Sequence, residues 1–508
     1  MSEQTLSDAE RERLREMVRE LLEEAEAVLS AVPAEEQPHS TEEDVAVCYA
    51  RLGDFASARR LVDRWSDQYG RANTLMSIAT CLRHLGNQSD ALTTIEEAIV
   101  ATRLSECRDS MIWRLTTLTE LLIDWGESSR ARSLLSETTT IAREAIDPEA
   151  LCVPSWMTEL VECQLRLSGS NAAEQIVSEL LDHLPGYRWV QLQNIAHWLA
   201  TAGRFRDAIE LAKSIPELPL RASALHGVAD AHESREIATT ILLECASLYA
   251  HRLDPDGRAA GLRDLAMSMH AKAMDSDSRK SLLAARDSLM EFSSLYYRAQ
   301  FLANLASDFS EIGRPDDARE TLALAEQVVD MTPDPSSRMY QCIAIAEAYL
   351  RIGDRDKARS SFEAAAAFAW AADENHEEFW LPCEVVESAA EAGLTSLAQS
   401  IADELTGERR IFALAKIIEP MLFPENDDTI RATLAEIMQL TVQLDDRESQ
   451  ADNLSYLSLE HAKLNDLDSA LLCAREIGME FVSARAAALV NVASNLLDRL
   501  GAPAPDED

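Results

Sequence analysis

The chain has 508 residues, is 47% hydrophobic and carries a formal net charge of −41 at pH 7. This hydrophobic content is ample for a folded protein and excludes wholesale disorder. A surface this acidic repels phosphate backbones and anionic membranes, so we expect binding to neither nucleic acid nor membrane. The charge indicates plain solubility, or else adaptation to a basic partner or to a salty cytoplasm.

The first predicted element is an amphipathic helix over residues 7–31. Ser7 and Glu10 fit a capping box, and apolar residues then recur every three or four positions. Pro33 and Pro38 end the helix, so we interpret residues 1–40 as an N-terminal helix and linker. The helix either caps the array that follows or forms a dimer with a second chain.

A recurrent pair of residues marks the chain from Thr41 onward. Seven times a glycine is followed five residues later by an alanine, and an eighth copy has asparagine in the glycine position. The pairs are Gly53/Ala58, Gly86/Ala91, Gly126/Ala131, Gly203/Ala208, Gly313/Ala318, Gly353/Ala358, Gly393/Ala398 and Asn465/Ala470. A glycine past a helix end can adopt a positive φ, and an alanine lets two helices approach closely. Each pair therefore predicts a helix–turn–helix unit, and their recurrence predicts a stacked array.

The spacing of the turn glycines takes two values. It is 33 from Gly53 to Gly86, and 40 from Gly313 to Gly353. The additional residues follow the second helix of a unit, as in residues 328–335. We expect them to lengthen that helix or the loop after it.

Arginine is a second marker, because it stands 15 residues before several turn glycines. It is found in this place at Arg71, Arg188, Arg298 and Arg338. Three more arginines begin a similar helix without a turn glycine, and we expect degenerate units there. These arginines are Arg221, Arg258 and Arg410, with expected turns near Ser234, Met274 and Glu425, respectively. A positive charge is unfavourable at the start of a helix, so its recurrence indicates a carboxylate on a neighbouring helix or stacking of the guanidinium plane. A ladder of arginines for an anionic ligand is the other alternative.

Counted in this way, about twelve units fill residues 41–501. Residues 502–508 are expected to form a disordered acidic tail.

The unit that begins at Arg338 resembles a tetratricopeptide repeat. The pattern of that family is carried, in order, by Ile345, Ala346, Tyr349, Gly353, Ala358, Phe362 and Ala365. The family's helix-A tryptophan and terminal proline are mostly missing, and a spacing of 40 exceeds its usual length. The resemblance implies an all-α fold, an α/α superhelical solenoid of about twelve helix-turn-helix repeats, whose concave face binds peptides or proteins.

In such an array the first helix of each unit lines the concave groove. The polar residues expected to point into the groove in the middle units are Gln193, Asn194, His197, His226, Asp230, Glu233, Arg263, Asp264, His270, Asn304, Asp308 and Glu347. Hydrogen-bonding side chains on one surface suit an extended peptide, although a solvated helix face has the same pattern. His197, His226 and His270 fall on nearby units, but neighbouring helices about 10 Å apart make a shared metal ion awkward. No metal or cofactor is predicted.

Two further features bear on surface and location. Phe379 and Trp380 follow a charged loop and are either an exposed aromatic pair or packed beneath that loop.

The nine cysteines are scattered without Cys-x-x-Cys spacing, which is typical of reduced core residues in a cytosolic protein. There is no signal-peptide pattern and no uncharged apolar run of about 18 residues, so we expect a soluble, cytoplasmic chain.

Sequence motifs of enzymes are absent: there is no His-Glu-x-x-His, no Gly-x-Ser-x-Gly and no phosphate-binding glycine loop. We therefore expect a non-catalytic scaffold or adaptor that binds a protein or peptide, with a basic partner as one option. A regulatory sensor that changes shape on binding a peptide or small ligand is the alternative. An α/α toroid enzyme is a third, and it would need a closed ring with a deep acidic pocket.

Overall fold

The structure, a computed structural model, is helical throughout the part of the chain that it describes. It describes residues 6–32, 39–65, 67–105, 107–145, 156–168, 175, 188–201, 203–232, 234–251, 254–373, 380–421 and 427–503. These ranges hold 25 α-helices, one short 3-10 helix (Glu419–Met421) and no strand. The prediction of an all-α fold is confirmed.

The α-helices follow one another in a regular series. They are α1 (Asp8–Leu29), α2 (His39–Leu52), α3 (Phe55–Val62), α4 (Gln68–His84), α5 (Gln88–Arg103), α6 (Arg108–Asp124), α7 (Ser128–Ala145), α8 (Trp156–Ser168), α9 (Arg188–Thr201), α10 (Phe205–Ser214), α11 (Leu218–Ala231), α12 (Arg235–Ala250), α13 (Pro255–Ala271), α14 (Asp275–Met290), α15 (Leu295–Glu311), α16 (Pro315–Met331), α17 (Pro335–Arg351), α18 (Arg355–Asp373), α19 (Leu381–Glu391), α20 (Thr395–Ala402), α21 (Gly407–Ile418), α22 (Asp427–Thr441), α23 (Arg447–Lys463), α24 (Leu467–Glu476) and α25 (Val482–Arg499).

Contacts divide the chain into two compact units, each a stack of helix pairs. Unit 1 comprises Met1–Ile146, Pro154–Leu167 and Glu425–Asp508, and unit 2 comprises Asp147–Val153 and Ser168–Pro424. Pairs such as α4/α5 in unit 1 and α17/α18 in unit 2 pack along their length. We call the first helix of a pair helix A and the second helix B. Helices A of successive pairs also touch, as α2 touches α4 and α15 touches α17.

The turn between helices A and B is the one that the glycine–alanine pairs predict. All seven turn glycines have a positive φ, from +69° at Gly393 to +88° at Gly53. The alanine five residues later is fully buried in every one of these pairs, as at Ala358. The helix–turn–helix unit predicted from the sequence is therefore confirmed.

Among the described residues, two of the positive-φ turns are made without glycine. Asn465 has a φ of +59°, and Ala470 five residues later is fully buried, as the eighth pair predicts. Ala273 has a φ of +58°, and the small residue that follows it by five positions is the buried Ser278. The degenerate turns near Ser234 and Met274 are confirmed, because these residues precede α12 and α14 directly. The turn expected near Glu425 lies outside the described residues.

The two repeat lengths differ in helix B. In the shorter repeat after Gly53, helix α3 has 8 residues. In the longer repeats after Gly86 and Gly313, helices α5 and α16 have 16 and 17 residues. The additional residues thus lengthen helix B by about two turns, which is one of the two outcomes expected.

The recurrent arginine has a role that the sequence analysis identified only in part. In several repeats its side chain, or a glutamine in its place, donates to a backbone carbonyl six residues earlier. These pairs are Arg221–Ile215, Arg298–Phe292, Arg338–Thr332 and Gln450–Leu444. The acceptors lie at the end of the preceding helix B, where unpaired carbonyls concentrate negative charge and favour a cation.

A carboxylate partner is found for three of the other arginines. Arg71 reaches Asp63 at 3.0 Å, and Arg258 and Arg410 reach Glu291 and Asp403. The predicted salt bridge is therefore confirmed in these repeats, whereas it is wrong for Arg298 and Arg338, which bind carbonyls. The guanidinium of Arg338 also lies over the Phe368 ring, 5.3 Å from its centroid, as the stacking alternative predicts.

The N-terminal helix α1 is packed into unit 1 as the helix B of another pair. It lies along α25, and α25 in turn touches α2 as one helix A touches the next. Gly501 after α25 has a φ of +67°, and Ala502 N–H donates to Leu497 O at 3.0 Å, as Asp54 N–H donates to Tyr49 O at 2.9 Å after α2. The end of α25 therefore has the same turn as other A helices.

The apolar stripe of α1 is used within the chain. Its buried residues are Leu14, Val18, Leu21, Leu22, Ala25, Val28 and Leu29. Glu24 pairs with Arg475 at 2.8 Å, and Arg51 of α2 bonds Ser494 of α25 at 2.8 Å. A dimer through this stripe is not supported, because the surface that would bind a second chain is already covered by α25 and α2.

Candidate functional site

The helices A of unit 1 form a cavity that spans α2, α4 and α6. Its volume is about 490 Å³. It is lined by Glu43, Asp44, Val47, Asn73, Thr74, Met76, Ser77, Thr80, Thr117, Glu120, Leu121 and Asp124. Four of these residues are carboxylates, three are large and apolar, and none is basic.

Local packing decides which side of each helix faces the cavity. In α2, Val45, Ala46 and Tyr49 are buried in the stack, so Asp44 and Val47 turn to the opposite side. The same division holds in α4 and α6, where the polar lining residues alternate at helical spacing with buried leucines and isoleucines.

The cavity is electrostatically negative. Asp44 is open to it, yet the surrounding protein displaces much of the bulk water, and this burial raises the pKa of the Asp44 carboxyl. Asp124 at its edge is paired with Arg166 of α8 at 2.5 Å. Because no basic residue lines the cavity, its acidic residues together give a potential that favours a cation or a basic side chain.

This cavity was not predicted, because the groove candidates lie in the middle repeats. A signal was present in the sequence, since Glu43, Asp44, Glu120 and Asp124 are polar residues on the same helices A as the packing positions. The spacing of these residues gives no sign that neighbouring repeats leave space at this point.

The predicted groove residues of unit 2 fall on α9, α11, α13, α15 and α17, and some of them bond between helices. Gln193 Nε2 donates to Ser223 Oγ at 2.8 Å, and His226 Nε2 lies 2.7 Å from Ser268 Oγ. Asp230 lies 3.5 Å from His226 on the same helix. These contacts place polar side chains of three successive helices A along one face.

Arg263 and Asp308 form the most buried ion pair among the predicted residues. They are bonded through both carboxylate oxygens, and Arg263 Nη2 donates to Asp308 Oδ1 at 3.0 Å. Burial raises the pKa of Asp308, and the hydrogen bond from Arg263 opposes this shift. The same bond raises the pKa of Arg263. The pair joins α13 to α15, so its first role is to hold these helices together.

Two of the three histidines of the predicted groove have different partners. His270 Nδ1 lies 2.9 Å from Oδ1 of Asp275, the first residue of α14, whereas His226 Nε2 lies 2.7 Å from Ser268 Oγ. Among the described residues, no group of three or more histidine, cysteine, aspartate or glutamate side chains is arranged to hold a metal ion.

The remaining predicted residues vary in exposure. His197, Asp264 and Glu347 are exposed, while Asn194 and Asn304 are half-buried. Glu233 lies outside the described residues. The groove in unit 2 stays a prediction.

Trp380 is 43% exposed and packs edge-on against Phe412, with ring centroids 5.3 Å apart. Phe379 lies outside the described residues. The exposed aromatic pair is thus Trp380 with Phe412, a residue that is 32 positions later in the chain.

The cysteines and helix lengths bear on the environment of the chain. Burial raises the pKa of Cys48 and Cys245 to about 12, so these thiols are inert core residues. In the described part of the chain, no helix combines the length and hydropathy that a membrane crossing requires.

No family model matches the chain, and neither does any curated protein. Among solved structures, the chain is similar to kinesin light chain TPR-like repeats from Podosopora anserina, with 21% identity over 37% of this chain and 97% of that chain and a TM-score of 0.27. It is also similar to Ton1535 from Thermococcus onnurineus NA1, with 12% identity over 59% of this chain and 99% of that chain and a TM-score of 0.31. A third similar structure is a Rap protein complexed with Competence and Sporulation Factor, with 13% identity over 77% of this chain and 99% of that chain and a TM-score of 0.25.

These TM-scores are all below 0.5, so they support no conclusion about function. The fold is identified by the molecule itself: helix pairs, positive-φ turns and buried alanines recur through both units. The predicted tetratricopeptide-like repeat is confirmed on these grounds.

Proposed function

We propose that this protein is a non-catalytic scaffold or adaptor that binds a basic segment of a partner protein in the cavity of α2, α4 and α6. The cavity itself is the observation that carries the proposal, since it crosses three successive repeats and is lined by four carboxylates, one of them paired with Arg166, and by three large apolar side chains. A surface continuous across several repeats suits an extended peptide better than a compact metabolite.

The chemistry of the lining residues supports a basic partner. The carboxylates attract Lys or Arg side chains, and the threonine, serine and asparagine groups can hydrogen-bond a peptide backbone. Val47, Met76 and Leu121 supply apolar contact beneath them. Both the long-range charge of −41 and the local potential favour association with a cation.

Capture from native lysate, followed by titration of the recovered partner, tests this proposal. Asp44→Lys/Ser77→Trp reverses one charge and fills the cavity, and we expect it to lose the partner. Glu96→Lys is the matched control, because Glu96 is an exposed carboxylate of α5 outside the cavity. An unchanged set of partners with the cavity variant, or an equal loss with the control, contradicts the proposal.

The groove in unit 2 is proposed as a second part of the same scaffold function. Its test substitutes Asp230 and Glu347, which are exposed, and leaves Asp308 unchanged, because removing Asp308 would leave Arg263 unpaired and weaken the fold. Asp230→Ser/Glu347→Ser is expected to weaken binding of the partner without a change in the midpoint of unfolding. Unchanged affinity would remove these residues from the site.

A further inference from the structure

A second cavity of unit 1 lies where the end of α1 meets α23 and α25. Its volume is about 920 Å³. The residues that matter for its chemistry are Val32, Glu448, Asp452, Met479, Phe481 and Ala487. It shares no lining residue with the cavity of α2, α4 and α6.

The floor of this cavity is apolar and accessible. Met479 is 49% exposed, and Phe481, which precedes α25, is partly exposed. Val32 and Ala487 add to this apolar part of the lining, which offers contact to an apolar side chain of a partner.

The rim of the cavity is acidic. Glu448 and Asp452 stand one turn apart on α23, both are exposed, and neither forms an ion pair within the described part of the chain. Glu480 is paired with Arg447 at 2.8 Å. Two carboxylates therefore remain to attract a positive charge at the edge of an apolar floor.

The cavity depends on the docking of α1. Val32 follows this helix directly, and the helix is held on α25 by its apolar stripe and by the pair of Glu24 with Arg475. Without α1 in place, one wall of the cavity is missing. The site thus combines segments more than 400 residues apart in the chain.

We propose that this cavity binds a partner segment in which a large apolar side chain is flanked by Lys or Arg. The apolar side chain would cover Met479 and Phe481, and the basic residues would pair with Glu448 and Asp452. This surface is additional to the one under the proposed function and does not depend on it.

Fluorescence anisotropy with the full chain tests the proposal. The probe is a fluorescein-labelled peptide, Gly-Lys-Arg-Phe-Leu-Lys-Gly, and two comparison peptides separate charge from apolar contact. One has glutamate in place of the basic residues, and the other has glycine in place of Phe and Leu. We expect saturable binding of the probe, with both comparison peptides weaker by about tenfold or more.

Variants locate the binding. Glu448→Lys/Asp452→Lys, which reverses the charge of the rim, and Ala487→Trp, which fills the cavity, should each weaken binding of the probe by about tenfold or more. Asp468→Lys/Glu476→Lys is the matched control, because both carboxylates are exposed on α24 and do not line the cavity. Leu22→Asp in α1 should also weaken the probe, and circular dichroism reports whether the rest of the chain stays helical.

Three outcomes overturn the proposal. They are no saturable binding of the probe at protein concentrations up to about 1 mM, equal binding of the glutamate or glycine peptide, and an equal loss of probe binding with the α24 control variant. Preference for the glutamate peptide would show instead that the start of α25 attracts anions. The loss of probe binding caused by Glu448→Lys/Asp452→Lys should be the same in a chain that also carries Asp44→Lys/Ser77→Trp, so failure of the proposed function and failure of this inference are distinguishable.

Discussion

At the scale of single residues, the turn positions separate backbone conformation from packing. A Cβ added at Gly353 would meet no atom within 4 Å, and the residue has a φ of +82°. The same type of turn is made by Ala273 at +58°, where a Cβ is present. Glycine is therefore favoured at these turns by backbone energy and not by lack of space.

This difference predicts opposite effects of two substitutions. Gly353→Val should lower the free energy of unfolding by about 1 kcal/mol or more, because a β-branched residue is strained at positive φ. Ala273→Gly should leave stability unchanged or raise it by up to about 1 kcal/mol, as relief of strain offsets the entropy of the unfolded chain. Urea unfolding of the full chain measures both, and equal destabilisation by the two would contradict this explanation of the turn.

The ion pair of Arg263 with Asp308 predicts a pH-dependent effect. Arg263→Gln should lower the free energy of unfolding by about 2 kcal/mol at pH 7. This is less than the loss typical of breaking a fully buried ion pair, because Arg263 is partly exposed. Burial already raises the pKa of Asp308, and loss of the arginine removes the interaction that opposes this shift. When the pKa of a carboxyl is raised in the folded state, its ionised form destabilises the fold and its protonated form does not. The loss of stability caused by Arg263→Gln should therefore shrink as the pH falls through the folded-state pKa of Asp308.

Thermal unfolding between about pH 4 and pH 8 checks this expectation. Arg263→Leu/Asp308→Leu is the control, since it removes both charges and should show no such pH dependence. A penalty in Arg263→Gln that is constant over this range would mean that the Asp308 carboxylate is not stranded.

At the scale of elements, helix α1 is stabilised by contacts that are far from it in sequence. Leu22 is fully buried in α1, which packs against α25 and α2, whereas Arg19 of the same helix is exposed. Helix α25 contributes buried residues such as Leu489 and Leu496. We therefore expect α1 and α25 to lose their protection against amide hydrogen exchange together.

Leu22→Asp tests this coupling. Burying a carboxylate is costly, so α1 should leave its place and amide hydrogen exchange should increase in α25 as well as in α1. Arg19→Asp also places an aspartate on α1 and should leave exchange in α25 unchanged. Faster exchange confined to α1 would show that α25 is stable without it.

The variable length of helix B could be predicted only as one of two outcomes. The sequence spacing of 40 shows that residues are added, but an extended helix and a longer loop have the same spacing. Helix α5 resolves the alternative, because Thr94, Ala98 and Thr102 are buried along it at helical intervals. Burial of the added turns against the next repeat is what makes them helical.

At the scale of the whole molecule, net charge is the dominant long-range property. A charge of −41 destabilises any compact state by self-repulsion, and salt screens this repulsion. We expect the thermal unfolding midpoint to rise as NaCl is increased from about 0.02 M to 0.5 M. Sucrose at equal osmolality is the control for solvent effects, and a midpoint that falls with salt would mean that the surface ion pairs outweigh the net repulsion.

The sequence by itself determined the repeating unit of this protein. The turn glycine, the buried alanine and the leading arginine act over distances of 5 to 15 residues, so their signal is local and can be read from spacing alone. This is why the glycine turns, the asparagine turn at Asn465 and the turn near Met274 could be predicted without a structure.

Only the tertiary structure decided which segments meet. The docking of α1 on α25, the carbonyl partners of Arg298 and Arg338, and both cavities of unit 1 arise from contacts between separate helices. Such contacts leave no fixed spacing in the sequence, because an amphipathic stripe shows that a helix buries one face but not against which partner. The repeat was therefore predictable, whereas the candidate binding surfaces had to be read from the packed molecule.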